Sequence, residues 1–264
     1  MFPDPLSGTV VVPKSVETVI NGRAYELVWL NGVGGLTFRV LDSGKSFYVK
    51  WAPSGSGVDL ASEARKMEWA RRFISVPLVV GQGRDDQGSW LVSEGIDAEN
   101  AISPRWKRDP RTAAKAVGTG LRALPDALPV TECPFSWSAE WRLNRIKQKA
   151  ERGAFAEHRW SEEFSGMSVH EALRELHTVP RLDLVVCHGD ACAPNTLIGE
   201  DGECRSHTDL ESLGIADRWA DLSVAAWSTV WNYGPGLEDV VYDSYGVQPD
   251  PDKIRFYRLL WECE

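Results

Sequence analysis

The stretch of the chain with the clearest chemical potential places His188, Gly189 and Asp190 ahead of Asn195, with Asp209 a further 14 residues along. An Asp at the tip of a loop can accept a proton from a hydroxyl group, and Asn and Asp oxygens are hard ligands of the kind that Mg²⁺ prefers beside phosphate oxygens. The spacing therefore indicates phosphoryl transfer. The alternative is an ordinary turn in which Asp and Asn bond their own backbone, but the added histidine, glycine and second aspartate favour the functional interpretation.

A candidate phosphate clamp lies upstream of this motif. Lys50 ends the run Phe-Tyr-Val-Lys on a predicted strand, and Glu63 follows 13 residues later on a predicted helix. A lysine binds phosphate oxygens as a compact point charge, and a carboxylate can hold that lysine in place. Either residue alone is equally consistent with a surface charge. The interpretation as a phosphate clamp depends on their order, with both residues preceding the downstream motif.

A glycine-rich turn, residues 31–35, separates the first two predicted strands and contains Gly32, Gly34 and Gly35. Bare backbone at such a turn can close over phosphates, although glycines also simply make hairpins. The turn does not lead from a strand into a helix, so a dinucleotide-binding fold is excluded.

The elements that must position these residues fall into two groups. Residues up to 95 are predicted to form a small antiparallel sheet with one helix: strands at 25–30, 36–41, 46–51, 78–80 and 89–93, and the helix at 58–73. The rest is predicted to be mostly helical, with helices at 111–124, 138–152, 168–177, 216–231, 237–245 and 250–261, a strand at 183–187 and a hairpin at 196–208. The fold class is therefore α+β with two lobes: residues 1–94 bind nucleotide, residues 95–264 carry catalysis and substrate binding, and a hinge lies at about 94–97.

Composition excludes several classes of protein. The 264 residues carry 29 basic and 38 acidic side chains, a net charge of −9, which gives no basic footprint for nucleic acid. No apolar run reaches the ~18 residues of a membrane span. The five cysteines are odd in number and irregularly spaced, which predicts reduced thiols in a cytoplasmic protein. Residues 182–264 hold 16 acids and 5 bases, a surface suited to cations or simply to solvent.

Four stretches together resemble a known family. The sequence VVCHGDACAPN at 185–195, LESLGIADRWAD at 210–221, Cys-Pro-Phe at 133–135 and PDPDKIRFYRLL at 249–260 are similar to the aminoglycoside O-phosphotransferases. The resemblance extends from about Gly32 to Glu264. The form of the first stretch is more similar to the streptomycin 3″-phosphotransferases than to the kanamycin 3′ enzymes.

The resemblance implies a bilobal, protein-kinase-like fold that binds ATP and Mg²⁺. It implies Asp190 as the catalytic carboxylate, Asn195 and Asp209 as Mg²⁺ ligands, and Lys50 with its partner Glu63 at the phosphates. Further ATP contacts are implied for Tyr48, which stacks on adenine in some members, for the glycine turn, and for the hinge backbone at Ser93 and Gly95. Acids that would meet the substrate's cationic groups are Glu262, Glu264, Glu157, Glu162 and Glu163. One departure stands out, because Glu211 occupies a position where the family usually has glycine.

We therefore predict an antibiotic-resistance kinase that phosphorylates an aminoglycoside, with streptomycin at its 3″ position as the preferred substrate. No nucleic acid, membrane or obligate protein partner is expected. The alternatives are a 3′ enzyme of the kanamycin class, a kinase for another small hydroxyl compound, and a kinase-like module that binds without catalysis. A protein kinase is disfavoured, since no APE-type segment follows Asp209.

Overall fold

The structure, a computed structural model, describes residues 10–155 and 160–264. These residues divide into two compact units. The first contains the chain up to Ala98 together with Ser206–Glu211, and the second contains Glu99–Arg205 and Ser212–Glu264. The predicted division at 94–97, with lobes of residues 1–94 and 95–264, stays a prediction.

The first unit is built on a five-stranded antiparallel sheet. Its elements are α1 (Lys14–Ile20), β1 (Ala24–Leu30), β2 (Leu36–Asp42), β3 (Lys45–Pro53), α2 (Leu60–Ala70), β4 (Val79–Arg84) and β5 (Gly88–Glu94). The strand order is β1-β2-β3-β5-β4. Successive side chains on a strand point to opposite faces. Val49 therefore enters a core with Phe38, Val40 and Val92 under α1, while Lys50 lies on the other face.

Helix α2 forms where its apolar residues recur at helical spacing. Leu60, Ala64 and Met67 are buried along one side. The helix begins after Asp59, whose side chain accepts a hydrogen bond from the backbone N–H of Ser62 at 2.8 Å, which satisfies one of the free amides of the first turn. This placement brings Glu63 to the buried side of the helix, where it is 2% exposed.

The second unit is mainly helical. Its elements are β6 (Glu99–Asn100), α3 (Pro104–Arg108), α4 (Pro110–Ala127), α5 (Ala139–Glu151), α6 (Val169–Glu175), β7 (Leu184–Cys187), β8 (Thr196–Ile198), β9 (Cys204–His207), β10 (Gly214–Asp217), α7 (Trp219–Tyr233), α8 (Glu238–Tyr245) and α9 (Pro251–Glu262). The last two residues of β9 already belong to the first unit. β7 pairs with β10, and β8 lies between β6 and β9. Helix α7 is buried continuously from Trp219 to Thr229, so it forms the centre of this unit.

The α+β class is confirmed, and the main differences from prediction concern short elements. The helix predicted at 216–231 begins too early, because Gly214–Asp217 pairs as a strand with Leu184–Cys187. Its apolar residues fit a helix and a buried strand equally well.

Elements α1, α3 and β6 were not predicted, since each has at most seven residues. In the described ranges, no helix has the length and apolar character needed to cross a membrane.

Candidate active site

Asp190 is presented by a loop that a single buried carboxylate holds. The loop follows β7, and Asp221 of α7 accepts the backbone N–H groups of His188 at 2.6 Å and Gly189 at 2.8 Å. Gly189 has φ +87°, and a Cβ there would collide with the carbonyl oxygen of Ser212. Only glycine suits both constraints, so the local sequence and α7 together fix the backbone that carries Asp190.

The clamp itself is charged and buried. Burial raises the pKa of the Asp221 carboxyl to about 6, while the amides of Gly189 and His188 and the Arg142 guanidinium lower it and Asp190 raises it. Arg142 is 1% exposed and donates to Oε2 of Glu264 at 2.7 Å. Sequence analysis missed both Asp221 and Arg142. A signal for Asp221 existed, since it is the one charged residue of the sequence that forms α7.

Asn195 is fixed beside Asp190. The 3₁₀ turn Ala193–Asn195 follows the loop, and the Asn195 amide nitrogen donates to the backbone oxygen of Asp190 at 2.9 Å and to its Oδ2 at 3.1 Å. Ser228 of α7 holds the turn by accepting the N–H of Ala193 at 2.9 Å. Because both bonds use the amide nitrogen, the Asn195 amide oxygen is the atom suited to a metal ion.

A cluster of three charged side chains, Lys50, Glu63 and Asp209, lies in the first unit. The Lys50 ammonium donates to Oε1 of Glu63 at 2.6 Å and also bonds Oδ1 of Asp209. Asp209 adopts φ +60°, a left-handed conformation that Asp tolerates better than most residues. The structure thus joins Lys50, Glu63 and Asp209 in one network, and their role toward a nucleotide stays a prediction.

The oxygen chemistry of Asn195 and Asp209 fits Mg²⁺. The Asp209 side chain is 44% exposed. The described part of the chain contains no group of three or more His, Cys, Asp or Glu side chains arranged to hold a metal. Mg²⁺ commonly binds through only one or two carboxylates plus substrate phosphates and water. The oxygen atoms of each residue are therefore of a kind that suits an ion arriving with a nucleotide.

The glycine-rich turn is closed by Asn31, which sequence analysis did not single out. Asn31 Oδ1 accepts the N–H groups of Val33 at 3.1 Å and Gly35 at 2.6 Å, and the Gly34 N–H donates to the Asn31 carbonyl at 3.2 Å. A Cβ on Gly35 would overlap the Asn31 amide. The N–H groups of Val33, Gly34 and Gly35 are therefore already bonded within the turn. Close packing against the Asn31 side chain explains why residue 35 is a glycine. Phosphate contacts for Gly32, Gly34 and Gly35 stay a prediction.

Three further residues predicted at the nucleotide come together at the end of β5. Tyr48 lies opposite Ser93 in the β3–β5 register. The Gly95 N–H donates to the Ser46 carbonyl at 2.7 Å, and a Cβ on Gly95 would come within 3.2 Å of the Tyr48 ring. Tyr48 also shares its face of β3 with Lys50. Their contact with adenine stays a prediction.

Three of the predicted substrate acids, Glu262, Glu163 and Glu264, already have partners within the second unit. Glu262 accepts the backbone N–H of Ser161 at 2.6 Å, Glu163 accepts from Arg258 at 3.1 Å, and Glu264 pairs with Arg142. Glu162 is exposed, and Glu157 lies outside the described residues. Their role toward a substrate stays a prediction.

The fold and these sites define a class, the kinase-like phosphotransferases. The architecture is similar to the crystal structure of an aminoglycoside 3′-phosphotransferase of type VIII, with a TM-score of 0.81 and 30% identity over 92% of this chain and 94% of that one. Residues 30–257 match the phosphotransferase enzyme family.

Two curated relatives indicate which branch of the kinase-like phosphotransferases this chain is similar to. An aminoglycoside 3′-phosphotransferase from Streptomyces fradiae is 36% identical over 80% of this chain and 82% of that protein. A streptomycin 3″-kinase from Streptomyces griseus is 30% identical over 85% and 86%. The chain belongs to the phosphotransferase enzyme family, in its aminoglycoside O-phosphotransferase branch, and is an ATP-dependent phosphotransferase.

Proposed function

We propose that this enzyme transfers the γ-phosphate of ATP to the 3′-hydroxyl of an aminoglycoside of the kanamycin class and so confers resistance. The main structural support for phosphoryl transfer is the loop that presents Asp190. Asp221 holds the backbone of this loop, and Asn195 bonds the Asp190 carboxylate. The choice of the 3′ position is supported by similarity, since the 3′ relative from Streptomyces fradiae is 36% identical and the streptomycin 3″-kinase is 30% identical.

In the proposed mechanism, Asp190 orients the substrate hydroxyl and takes its proton as the bond to phosphorus forms. The amide of Asn195 holds Oδ2 of Asp190 at 3.1 Å, which limits rotation of the carboxylate. The transition state of phosphoryl transfer is loose, so positioning and charge supply most of the rate acceleration. None of the five thiols is needed as a nucleophile.

Charged side chains of the first unit would hold the nucleotide. Lys50 would contact phosphate oxygens, with Glu63 fixing its ammonium group at 2.6 Å. Asn195 and Asp209 would hold Mg²⁺, which when bound shields the negative charge of the phosphate oxygens. Tyr48 and the backbone near Ser93 and Gly95 would receive the adenine.

The substrate's ammonium groups would meet carboxylates of the acidic C-terminal third. Glu162, whose side chain is exposed, is the first candidate, whereas Glu163 and Glu264 each pair with an arginine. A surface rich in carboxylates also attracts a polycation over a distance, at a rate that falls as salt increases.

Streptomycin is the second candidate substrate. The form VVCHGDACAPN at 185–195 favours it, together with the 30% identity to the streptomycin 3″-kinase. Guanidinium groups pair with carboxylates in a bidentate manner, so the acidic segment suits streptomycin as well. Because specificity resides in contacts that no motif encodes, the two candidates need a direct comparison.

The test is a coupled ATP-consumption assay with kanamycin, streptomycin and a non-aminoglycoside control, followed by NMR of the product. We expect kcat/KM for kanamycin to exceed that for streptomycin by about tenfold or more, as pocket contacts commonly provide, with phosphate on the 3′ oxygen and with no turnover in EDTA. The reverse preference would replace the 3′ assignment with the 3″ one. Absence of transfer to every aminoglycoside would refute the function.

We also propose that the enzyme works in the cytoplasm, where ATP is abundant. All five cysteines lie in the described ranges and carry free thiols, as a reducing compartment favours. Cell fractionation tests this, and recovery outside the cytoplasm would contradict it.

A further inference from the structure

Glu211 has a structural partner that its sequence position did not suggest. It stands two residues after Asp209. Its carboxylate Oε1 accepts the backbone N–H of Asp59 at 3.1 Å, and its backbone carbonyl accepts the ammonium group of Lys66. A glycine here would keep the carbonyl and lose the carboxylate.

Both donors belong to α2 or to its cap. Asp59 is the N-cap residue of the helix, and Lys66 lies one turn after Glu63 on the same side. Lys66 is only 8% exposed, and a buried ammonium group requires polar partners. Glu211 therefore fastens the beginning of α2 at two points on either side of Glu63.

These contacts complete a closed ring of interactions within the first unit. Asp209 bonds Lys50, Lys50 bonds Glu63 of α2, and α2 returns through Asp59 and Lys66 to Glu211. The Ser206 hydroxyl adds a further tie by donating to the Ser75 carbonyl, in the segment after α2, at 3.0 Å. Because the ring is closed, Glu63 cannot shift along with α2 unless the Glu211 contacts also break.

We infer that Glu211 is a positioning residue for the nucleotide half of the reaction. It fixes α2 against the segment that carries Asp209, and so keeps the Lys50 ammonium between Glu63 and Asp209. The carboxylate of Glu211 acts through its hydrogen bond to Asp59. This inference rests on the proposed roles of Lys50 and Asp209.

The test compares Glu211→Gly with Glu211→Gln, and uses Glu203→Gly as a matched control. Glutamine retains an oxygen acceptor for Asp59 but loses the charge. Glu203 lies in the turn between β8 and β9, with a side chain 54% exposed. The measurements are KM for ATP, KM for the aminoglycoside, kcat, the Mg²⁺ requirement and Tm.

We expect Glu211→Gly to raise KM for ATP by about tenfold, the equivalent of one charge-assisted hydrogen bond, with KM for the aminoglycoside unchanged. Glu211→Gln should restore KM for ATP to within about twofold, and the control should match the parent. Should Glu211→Gly be too unstable to purify, Glu211→Ala serves, because it removes the same acceptor without adding backbone freedom.

Three results would overturn the inference. One is an unchanged KM for ATP in both Glu211→Gly and Glu211→Ala. Another is an equal rise in both KM values with a lowered Tm, which would show a merely structural role. The third is a Glu211→Gln variant as defective as Glu211→Gly and with a raised Mg²⁺ requirement, which would assign the charge to the metal. A parent enzyme that transfers no phosphate instead refutes the proposed function, and ADP titration of the same variants then still tests the positioning role.

Discussion

Two loops of this chain are each fixed by one side chain that accepts two backbone N–H groups. In the first unit, Asn31 Oδ1 accepts from Val33 and Gly35. In the second, Asp221 accepts from His188 and Gly189. The geometry is comparable, with distances of 2.6–3.1 Å in both loops, but the two clamps differ in charge, burial and distance along the chain.

The Asn31 clamp is neutral, half-buried and local, because its donors lie two and four residues away. The Asp221 clamp is ionisable, 5% exposed and reaches across 32 and 33 residues. Water can replace a lost partner at a partly exposed turn, whereas a buried amide left without an acceptor is costly. The comparison teaches that a partly exposed turn tolerates a neutral, local clamp, while the loop that carries Asp190 is held by a buried carboxylate from a distant helix.

The largest expected effect follows from removing the group that the buried clamp presents. Asp190→Asn keeps the shape of the side chain and removes its charge and basicity. We expect kcat to fall by about 10²–10⁴, the usual contribution of a general base, with KM for ATP nearly unchanged. Steady-state kinetics measures both, and a variant that keeps a third of the parent kcat contradicts the assignment.

The next effect concerns stability against pH. Asp221 has a pKa of about 6 in the folded protein, compared with 3.8 for an unperturbed Asp, so the folded state binds the proton more tightly. The stability contributed by protonated Asp221 is therefore present below pH 4 and is lost as pH rises to 6. We expect the parent to lose about 2 kcal/mol of unfolding free energy relative to Asp221→Asn between pH 4 and 7.

Urea denaturation of the parent and of Asp221→Asn at several pH values measures this difference. Other titrating groups are common to both proteins and cancel in the comparison. A difference in unfolding free energy that does not vary with pH would show that the carboxyl titrates normally.

The smallest effect is expected at the local clamp. Asn31→Ala removes two neutral hydrogen bonds at a partly exposed turn, where water replaces part of the loss, so we expect about 1 kcal/mol of stability to be lost and KM for ATP to rise by less than about fivefold. Asn31→Asp retains the oxygen that accepts both N–H groups and should remain close to the parent. An Asn31→Ala enzyme as impaired as Asp190→Asn would mean that the local clamp is not the weaker one.

The sequence predicted the five strands of the first sheet and helix α2 to within a few residues, because alternation and helical spacing are visible along the chain. It did not distinguish strand β10 from the start of α7, since Ile215 and Ala216 fit either structure. It predicted Asp190, Asn195 and Asp209 as site residues through their spacing, and their roles stay a prediction, but it gave no partner to Glu211 and assigned no role to Asp221.

What the sequence determined by itself is chemistry and short-range order: the kinds of donor and acceptor, the alternation and helical spacing of apolar residues, and the hairpin closed by Asn31 within four residues. Only the tertiary structure decided which distant groups meet. Lys50 and Asp209 are 159 residues apart, Glu211 and Asp59 are 152, and Arg142 and Glu264 are 122. The physical reason is that local propensities depend on a few neighbouring residues, whereas contacts at such separations form only when burial of the whole core repays the entropy of closing the chain between them.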